Sequence, residues 1–182
     1  MKTLIVNFFG GPGAGKSKMG LRLTSDIKDR GFSVDFTGEY AKDMTWQKSQ
    51  HVLTNQNYIF AKQQHRIWRL DNQVQIIVTD SPLINSVVYG KDDTTALFKA
   101  LVHEEFNKRN NLNINLLRGK FYDTKGRNQT LPQAILIDKE ICDVMEANYN
   151  GFDLTIEGEL YNADKVLEYV ISEYHKLNPE TI

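Results

Sequence analysis

The chain has 182 residues and carries 22 Lys and Arg against 23 Asp and Glu, a formal net charge of −1 that gives no global electrostatic reason to expect a nucleic-acid partner. Hydrophobic residues at 41% and charged residues at 25% are ordinary globular values, so the composition argues against disorder and against a membrane protein. The length suits one domain over residues 1–182 with room for a small lid.

Leu4-Ile5-Val6-Asn7-Phe8-Phe9 reads as the first strand, and Gly10 to Ser17, GGPGAGKS, follow it ahead of a helix-compatible run to Arg30. Gly10, four free positions and then Gly15-Lys16-Ser17 is the spacing of a phosphate-binding P-loop, here in the strand–loop–helix context the motif requires. Glycines let backbone N–H groups close on phosphates, which also sit at the positive end of the following helix. On this reading Gly11, Gly13, Ala14, Gly15, Lys16, Ser17 and Lys18 contact a nucleoside triphosphate. Lys16 reaches the terminal phosphates as a compact cation, and Ser17 gives its hydroxyl to Mg²⁺. ATP and Mg²⁺ are therefore the expected cofactors. Pro12 has no N–H and adds no donor.

Gly31 stops the first helix, and Phe32-Ser33-Val34-Asp35-Phe36 reads as the second strand, closed by Thr37-Gly38-Glu39. Residues 40–50 show no clear period. A long helix is expected over Thr54 to Asn72, with Tyr58, Ala61, His65 and Trp68 at helical spacing. Its Lys62, Arg66 and Arg69 share a face, read either as solvated charge or as a surface that attracts phosphates. Val74 to Thr79 is an unbroken apolar run that suits a buried parallel strand. It ends in Asp80-Ser81-Pro82, where a P-loop protein keeps an acid for Mg²⁺. Asp80 is equally placed to cap the helix that Pro82 begins, and both roles can coexist.

A short helix to Tyr89 and a longer one over Thr94 to Lys108 lead to a fourth strand, Leu112 to Leu117. Its polar and apolar residues alternate, which suggests a position nearer the sheet edge. Arg118 to Gln129 has no period and carries Arg118, Lys120, Lys125 and Arg127, with Gly126 as a hinge. This stretch, at about 118–130, is read as a lid whose arginines neutralise a phosphoryl group in transfer, or as a solvated basic loop. A helix over Leu131 to Tyr149, a fifth strand at Phe152 to Ile156 and a closing helix over Asn162 to Leu177 complete the chain.

The alternation of strands and helices predicts an α/β fold of the P-loop NTPase kind, a five-stranded parallel sheet with helices on both faces and a small lid. Gly10, Glu39, Asp80, Arg118 and Gly158 then fall at the strand ends where open α/β sheets bind ligands. Glu39 is a candidate base for an attacking hydroxyl, or a solvated turn residue. His51, His65, His103 and His175 lack metal-ligand spacing, and the single Cys142 reads as a small buried thiol. Apolar stretches are too short for a bilayer and the N-terminus enters a strand directly, so cytoplasmic residence is the expectation.

Taken together, GGPGAGKS, Gly38-Glu39-Tyr40-Ala41, Thr79-Asp80-Ser81-Pro82 and the run Arg118 to Gln129, with its Tyr-x-x-x-Gly-Arg-x-Gln signature at Tyr122 to Gln129, resemble a family of small bacteriophage P-loop kinases. That family is similar to the kinase domain of nicotinamide riboside kinases and includes enzymes that phosphorylate 5-hydroxymethyluracil in DNA. The resemblance runs from Met1 to about Tyr174. It implies that Lys16 and Ser17 bind the triphosphate and Mg²⁺, that Asp80 serves the metal or acts as the base, and that Arg118 and Arg127 belong to the lid. The expected reaction is transfer of the γ-phosphoryl of ATP to a nucleoside-like hydroxyl, tilted towards a 5-hydroxymethyl pyrimidine in phage DNA. A free nucleoside, a nucleotide or nicotinamide riboside is the alternative acceptor. Readings from other classes are weaker. A GTPase would need an Asn-Lys-x-Asp guanine reader, which Leu154-Thr155-Ile156-Glu157 does not supply, and a motor ATPase would need an acidic pair where only Asp80 stands.

Overall fold

The computed structural model describes residues 1–90, 94–119, 122 and 128–180. Among them five strands form one parallel sheet: β1 (Leu4–Phe9), β2 (Val34–Thr37), β3 (Ile76–Thr79), β4 (Asn110–Leu117) and β5 (Leu154–Glu157), in the order β2-β3-β1-β4-β5. The helices are α1 (Lys16–Asp29), α2 (Tyr40–Trp46), α3 (Gln50–Leu53), α4 (Gln56–Trp68), α5 (Asn85–Tyr89), α6 (Ala96–Asn107), α7 (Leu131–Tyr149) and α8 (Ala163–Leu177), with a short 3₁₀ turn at Leu160–Asn162. The α/β P-loop fold expected from the sequence is the fold observed.

Strand alternation decides which side each residue serves. Leu4, Val6 and Phe8 of β1 point to a core shared with Met19, Leu23 and Ile27 of α1 and Val166, Val170 and Tyr174 of α8. Ile5 and Phe9 point the other way, against Phe60 and Ile67 of α4, Phe98, Val102 and Phe106 of α6, and Ile141 and Met145 of α7. Helices thus cover both faces, and all four residues of β3 are buried. The site is positioned by where β1 lies. Its neighbours are β3 on one side and β4 on the other, so the chain leaves β1 at a switch in strand order, where open parallel sheets carry a crevice.

Three local expectations are corrected. The helix expected over residues 54–72 is shorter, because Asn55 caps it by accepting from the Tyr58 N–H and the chain turns out of it after Trp68. Residues 40–50, which showed no period, form α2 and the start of α3. Only Met44 of α2 is buried, so no apolar stripe was there to read. Finally, β4 lies inside the sheet, between β1 and β5, and the edges are β2 and β5. Its alternating asparagines face a polar residue of the neighbouring strand rather than solvent at an edge. Asn7 of β1, only 1% exposed, donates through Nδ2 to Asn111 Oδ1 at 2.9 Å and to Asn113 Oδ1 at 3.2 Å.

Asn7→Ala would leave those two side-chain carbonyls without their donor inside the sheet. The expected loss of stability is about 1–3 kcal/mol, read as a lower midpoint in chemical denaturation with an unchanged slope. A change under about 0.5 kcal/mol would show that the asparagine pairs contribute nothing net.

Candidate active site

The turn after β1 depends on backbone that only glycine adopts easily. Gly10, Gly13 and Gly15 have φ of 124°, 84° and 93°. A side chain on Gly15 would also strike the Gly158 carbonyl, and one on Gly158 would strike the Ala14 carbonyl, so the loop after β1 and the turn after β5 pack backbone against backbone. Gly15 caps α1, whose first N–H groups have no partner within the helix and carry its positive end.

Lys16 curls back over this loop, its Nζ donating to the carbonyls of Gly10 at 2.6 Å and Gly11 at 2.9 Å. Desolvation lowers its pKa from the ordinary lysine value, against the pull of Glu39, Asp80 and Asp138. Ser17 donates through Oγ to Asp80 Oδ2. The other oxygen of Asp80, Oδ1, is buried without a partner among the described residues, and Asp80 as a whole is 3% exposed. A buried carboxylate oxygen left open beside a serine hydroxyl is a donor set that suits Mg²⁺, a hard cation that takes one or two protein oxygens and completes its shell with phosphates and water. Ser17 and Asp80 are the residues that would hold it. Bound there, the ion would neutralise charge on the phosphates.

Arg118 at the end of β4 is anchored to the loop. Its Nε and Nη2 donate to Asp138 Oδ2 at 3.0 and 2.8 Å, and Nη1 donates to the Pro12 carbonyl at 2.5 Å. The second oxygen of Asp138 accepts the Gly11 N–H at 2.5 Å. Asp138 therefore fastens both the arginine and the start of the loop, and the Gly11 N–H is directed to this carboxylate. The Arg118 guanidinium also lies 5.5 Å from the Tyr122 ring centroid, and that ring sits against Gly13. Asp138 was missed in the sequence because its partners come from β1 and β4, while its own helix gives it only the look of a polar-face residue. Arg127, with Lys120, Lys125 and Gly126, lies outside the described residues. Ala14 is buried, and Lys18 forms an exposed ion pair with Glu159 at 2.9 Å.

Gly13, Gly15, Lys16, Ser17, Lys18 and Asp80 line a cleft of about 600 Å³ that also takes in Glu39, Trp46, Gln63, Asn85 and Tyr89, whereas Arg118 and Asp138 stand behind the loop and do not line it. Glu39 is the residue just before α2. Desolvation pushes its carboxyl above the ordinary range, Lys16 opposes that shift and Asp80 reinforces it, so the three charges lie within mutual reach. The Tyr89 phenol is raised too, chiefly by desolvation and then by Glu39, which keeps it a hydroxyl donor. Asn128 and Gln129, from the stretch expected to be a lid, line the cleft, and Asn128 accepts from Gln50 Nε2 at 3.1 Å and donates to Thr45 Oγ1 at 3.3 Å.

Of the basic face on α4, Arg66 is only partly exposed and is already engaged. It donates to the Gly38 carbonyl at 2.8 Å, pairs with Asp43 and lies over the Tyr40 ring, which fixes the corner that carries Glu39. Cys142 is half-buried rather than fully buried, and burial raises its thiol pKa. His103 stacks on Tyr149, with Nδ1 2.6 Å from its hydroxyl. Among the described residues no cluster of three His, Cys, Asp or Glu could hold a metal, and no helix is long and apolar enough to cross a membrane.

Residues 5–157 match the family model described as an AAA domain. The chain belongs to that family of P-loop domains. Among solved structures, a crystal structure of the NadR protein in complex with NR superposes with a TM-score of 0.66 at 16% sequence identity, covering 92% of this chain and 51% of that one. The chain thus spans about half the length of that protein, and the likeness is one of fold. No curated protein matches the sequence. Fold and family together make this a nucleotide-binding P-loop domain.

Lys16→Ala should leave the fold intact and lower turnover about a hundredfold or more, because it removes a cation that acts on developing phosphate charge. Asp138→Ala should instead lower stability by about 1–3 kcal/mol and weaken nucleotide binding, since it frees both Arg118 and Gly11. Thermal melts and nucleotide titrations separate the two. An Asp138→Ala protein as stable as the parent would remove the anchoring role.

Proposed function

We propose that the protein is an ATP-dependent kinase that transfers the γ-phosphoryl to a hydroxyl of a nucleoside-like acceptor, the 5-hydroxymethyl group of a modified pyrimidine in DNA. The observation that carries the kinase reading is that one cleft of about 600 Å³ contains the phosphate loop, the Ser17–Asp80 pair and Glu39. In the proposed reaction Glu39 accepts the proton of the acceptor hydroxyl as its oxygen bonds to the γ-phosphorus. The bond to the β–γ bridging oxygen breaks and ADP leaves. Lys16 meets the charge on the transferring group, and Asp80, tied to Ser17, serves the Mg²⁺ side rather than the base. Arg118 and Arg127 are proposed to add positive charge from the lid, Arg118 after an exchange of its Asp138 and Pro12 partners for phosphate.

A cleft of about 600 Å³ is too small for a duplex, so a DNA acceptor would enter as a single unstacked nucleotide. The small cleft and the engagement of Arg66 favour a second reading, in which the acceptor is a free nucleoside or nucleotide, nicotinamide riboside included. Cytoplasmic residence and a single domain over residues 1–182 belong with either reading.

Two outcomes test it. Because the Glu39 carboxyl is raised and the base must be ionised, turnover should fall as pH drops through a value above the ordinary carboxylate range, and Glu39→Gln should lower turnover at neutral pH and abolish that limb. An unaffected Glu39→Gln enzyme would pass the base role to Asp80. Salt separates the acceptors, since a polymer held by several phosphates releases counterions on binding. The Michaelis constant for hydroxymethylated DNA should climb steeply with salt while that for ATP moves much less, and unmodified DNA should be inert. Efficient transfer to free nucleosides with hydroxymethylated DNA untouched would leave the second reading standing.

A further inference from the structure

The amides lining the cleft are already engaged or, like Gln129, not buried, with one exception. Gln63 accepts the Tyr40 N–H through Oε1 at 3.0 Å and donates to the Gly38 carbonyl. Gln56 donates to the Leu53 carbonyl at 2.8 Å, and Asn128 is held by Gln50 and Thr45. Asn85 differs. It opens α5, five residues after Asp80 in the chain, it is 8% exposed, and it lines the cleft, yet its Oδ1 is buried without a hydrogen-bond partner among the described residues.

A buried amide carbonyl without a donor costs stability unless something supplies one. Asn85 lines the cleft, so a molecule bound there is the source of partner the fold offers. A primary amide presents an acceptor and a donor side by side, and rotating it by half a turn preserves that pairing. Its complement is therefore an N–H next to an acceptor atom on a flat molecule. The pairing edge of a pyrimidine base has this form, as an imide N–H between two carbonyls or as an amine beside a ring nitrogen.

We propose that Asn85 reads the pairing edge of the acceptor's nucleobase, so that the acceptor class is a nucleobase whose pairing-edge N–H and neighbouring acceptor are both free. The inference rests on the reading of the cleft as a kinase acceptor site and adds the group that selects the acceptor. It also has a consequence for a DNA acceptor: a base paired in a duplex hides this edge, so single-stranded DNA is taken in preference to duplex.

Equilibrium binding tests this without requiring any phosphoryl transfer. 5-Hydroxymethyl-2′-deoxyuridine and its N3-methyl derivative are titrated into the full chain in the presence of a non-hydrolysable ATP analogue and Mg²⁺, with the quench of tryptophan fluorescence or the heat of binding as readout. The expected result is that methylation weakens binding about tenfold to a hundredfold in the wild-type protein, and that Asn85→Ala brings the two ligands within about threefold of each other. Nucleotide binding and thermal melting of the variant control for its folding. The wild-type comparison needs no variant, so it decides the matter even if Asn85→Ala does not fold. Equal binding of both ligands to the wild type, binding of neither, or an undiminished preference in a folded Asn85→Ala protein would each overturn the proposal. Selective binding without phosphate transfer to any hydroxyl would leave Asn85 in place and overturn the kinase reading instead.

Discussion

The tight turn between β1 and α1 is the constraint on which the other features depend. Three glycines there take positive φ, and the carbonyls of Ala14 and Gly158 lie where added side chains would collide. A loop built this way brings N–H groups to the start of a 14-residue helix while its carbonyls turn back to hold Lys16. The arrangement is costly in backbone entropy, because glycine loses more freedom than any other residue on folding. Packing from outside the loop offsets that cost. Asp138 takes the Gly11 N–H, Arg118 takes the Pro12 carbonyl, and the Tyr122 ring covers Gly13.

Charge at the site is balanced by neighbours of opposite sign at short range. Lys16 is the cation that Glu39, Asp80 and Asp138 all feel, and desolvation acts on Lys16 and Glu39 in opposite directions, each towards its neutral form. Triphosphate would bring a large negative charge into this cluster. Lys16 would then leave the loop carbonyls for the phosphates, and the open oxygen of Asp80 would find its counterion. The two carboxylates differ in surroundings. Asp80 is held by Ser17, whereas Glu39 stands at a corner braced by Arg66 through Gly38 and Asp43. On that difference rests the proposed division of roles between Asp80 on the metal side and Glu39 as base.

How much of this was legible in the sequence depended on how local each signal is. The phosphate loop, the strands of unbroken apolar residues and the position of Asp80 are written in contiguous residues, and a reader needs no neighbour to find them. β4 was misplaced because alternation reports polarity, not exposure. Asn111 and Asn113 look like solvent-facing positions until Asn7, more than a hundred residues earlier, is seen to bond both. Asp138 lies 127 residues from the Gly11 it holds, so no local pattern could link them. Arg66 illustrates the converse: it shares a helical face with Lys62 and Arg69 and so read as one of a set, but the fold brings Asp43 and the Gly38 carbonyl to it alone. Asn85 gave no signal at all, since an asparagine near a helix start is ordinary, and its significance comes only from burial without a partner.

The central claim is that the second molecule in the cleft, and not water, receives the phosphoryl group. The fate of the γ-phosphate measures this directly: γ-labelled ATP, Mg²⁺ and a saturating hydroxymethylated pyrimidine acceptor, single-stranded or free, are mixed with excess protein, and the label is partitioned between acceptor and inorganic phosphate over one turnover. Most of the label should appear on the acceptor as a phosphoester, and should do so faster than inorganic phosphate forms when acceptor is omitted. Label found wholly as inorganic phosphate, at a rate indifferent to every hydroxyl acceptor supplied, would contradict it and make this P-loop domain a hydrolase.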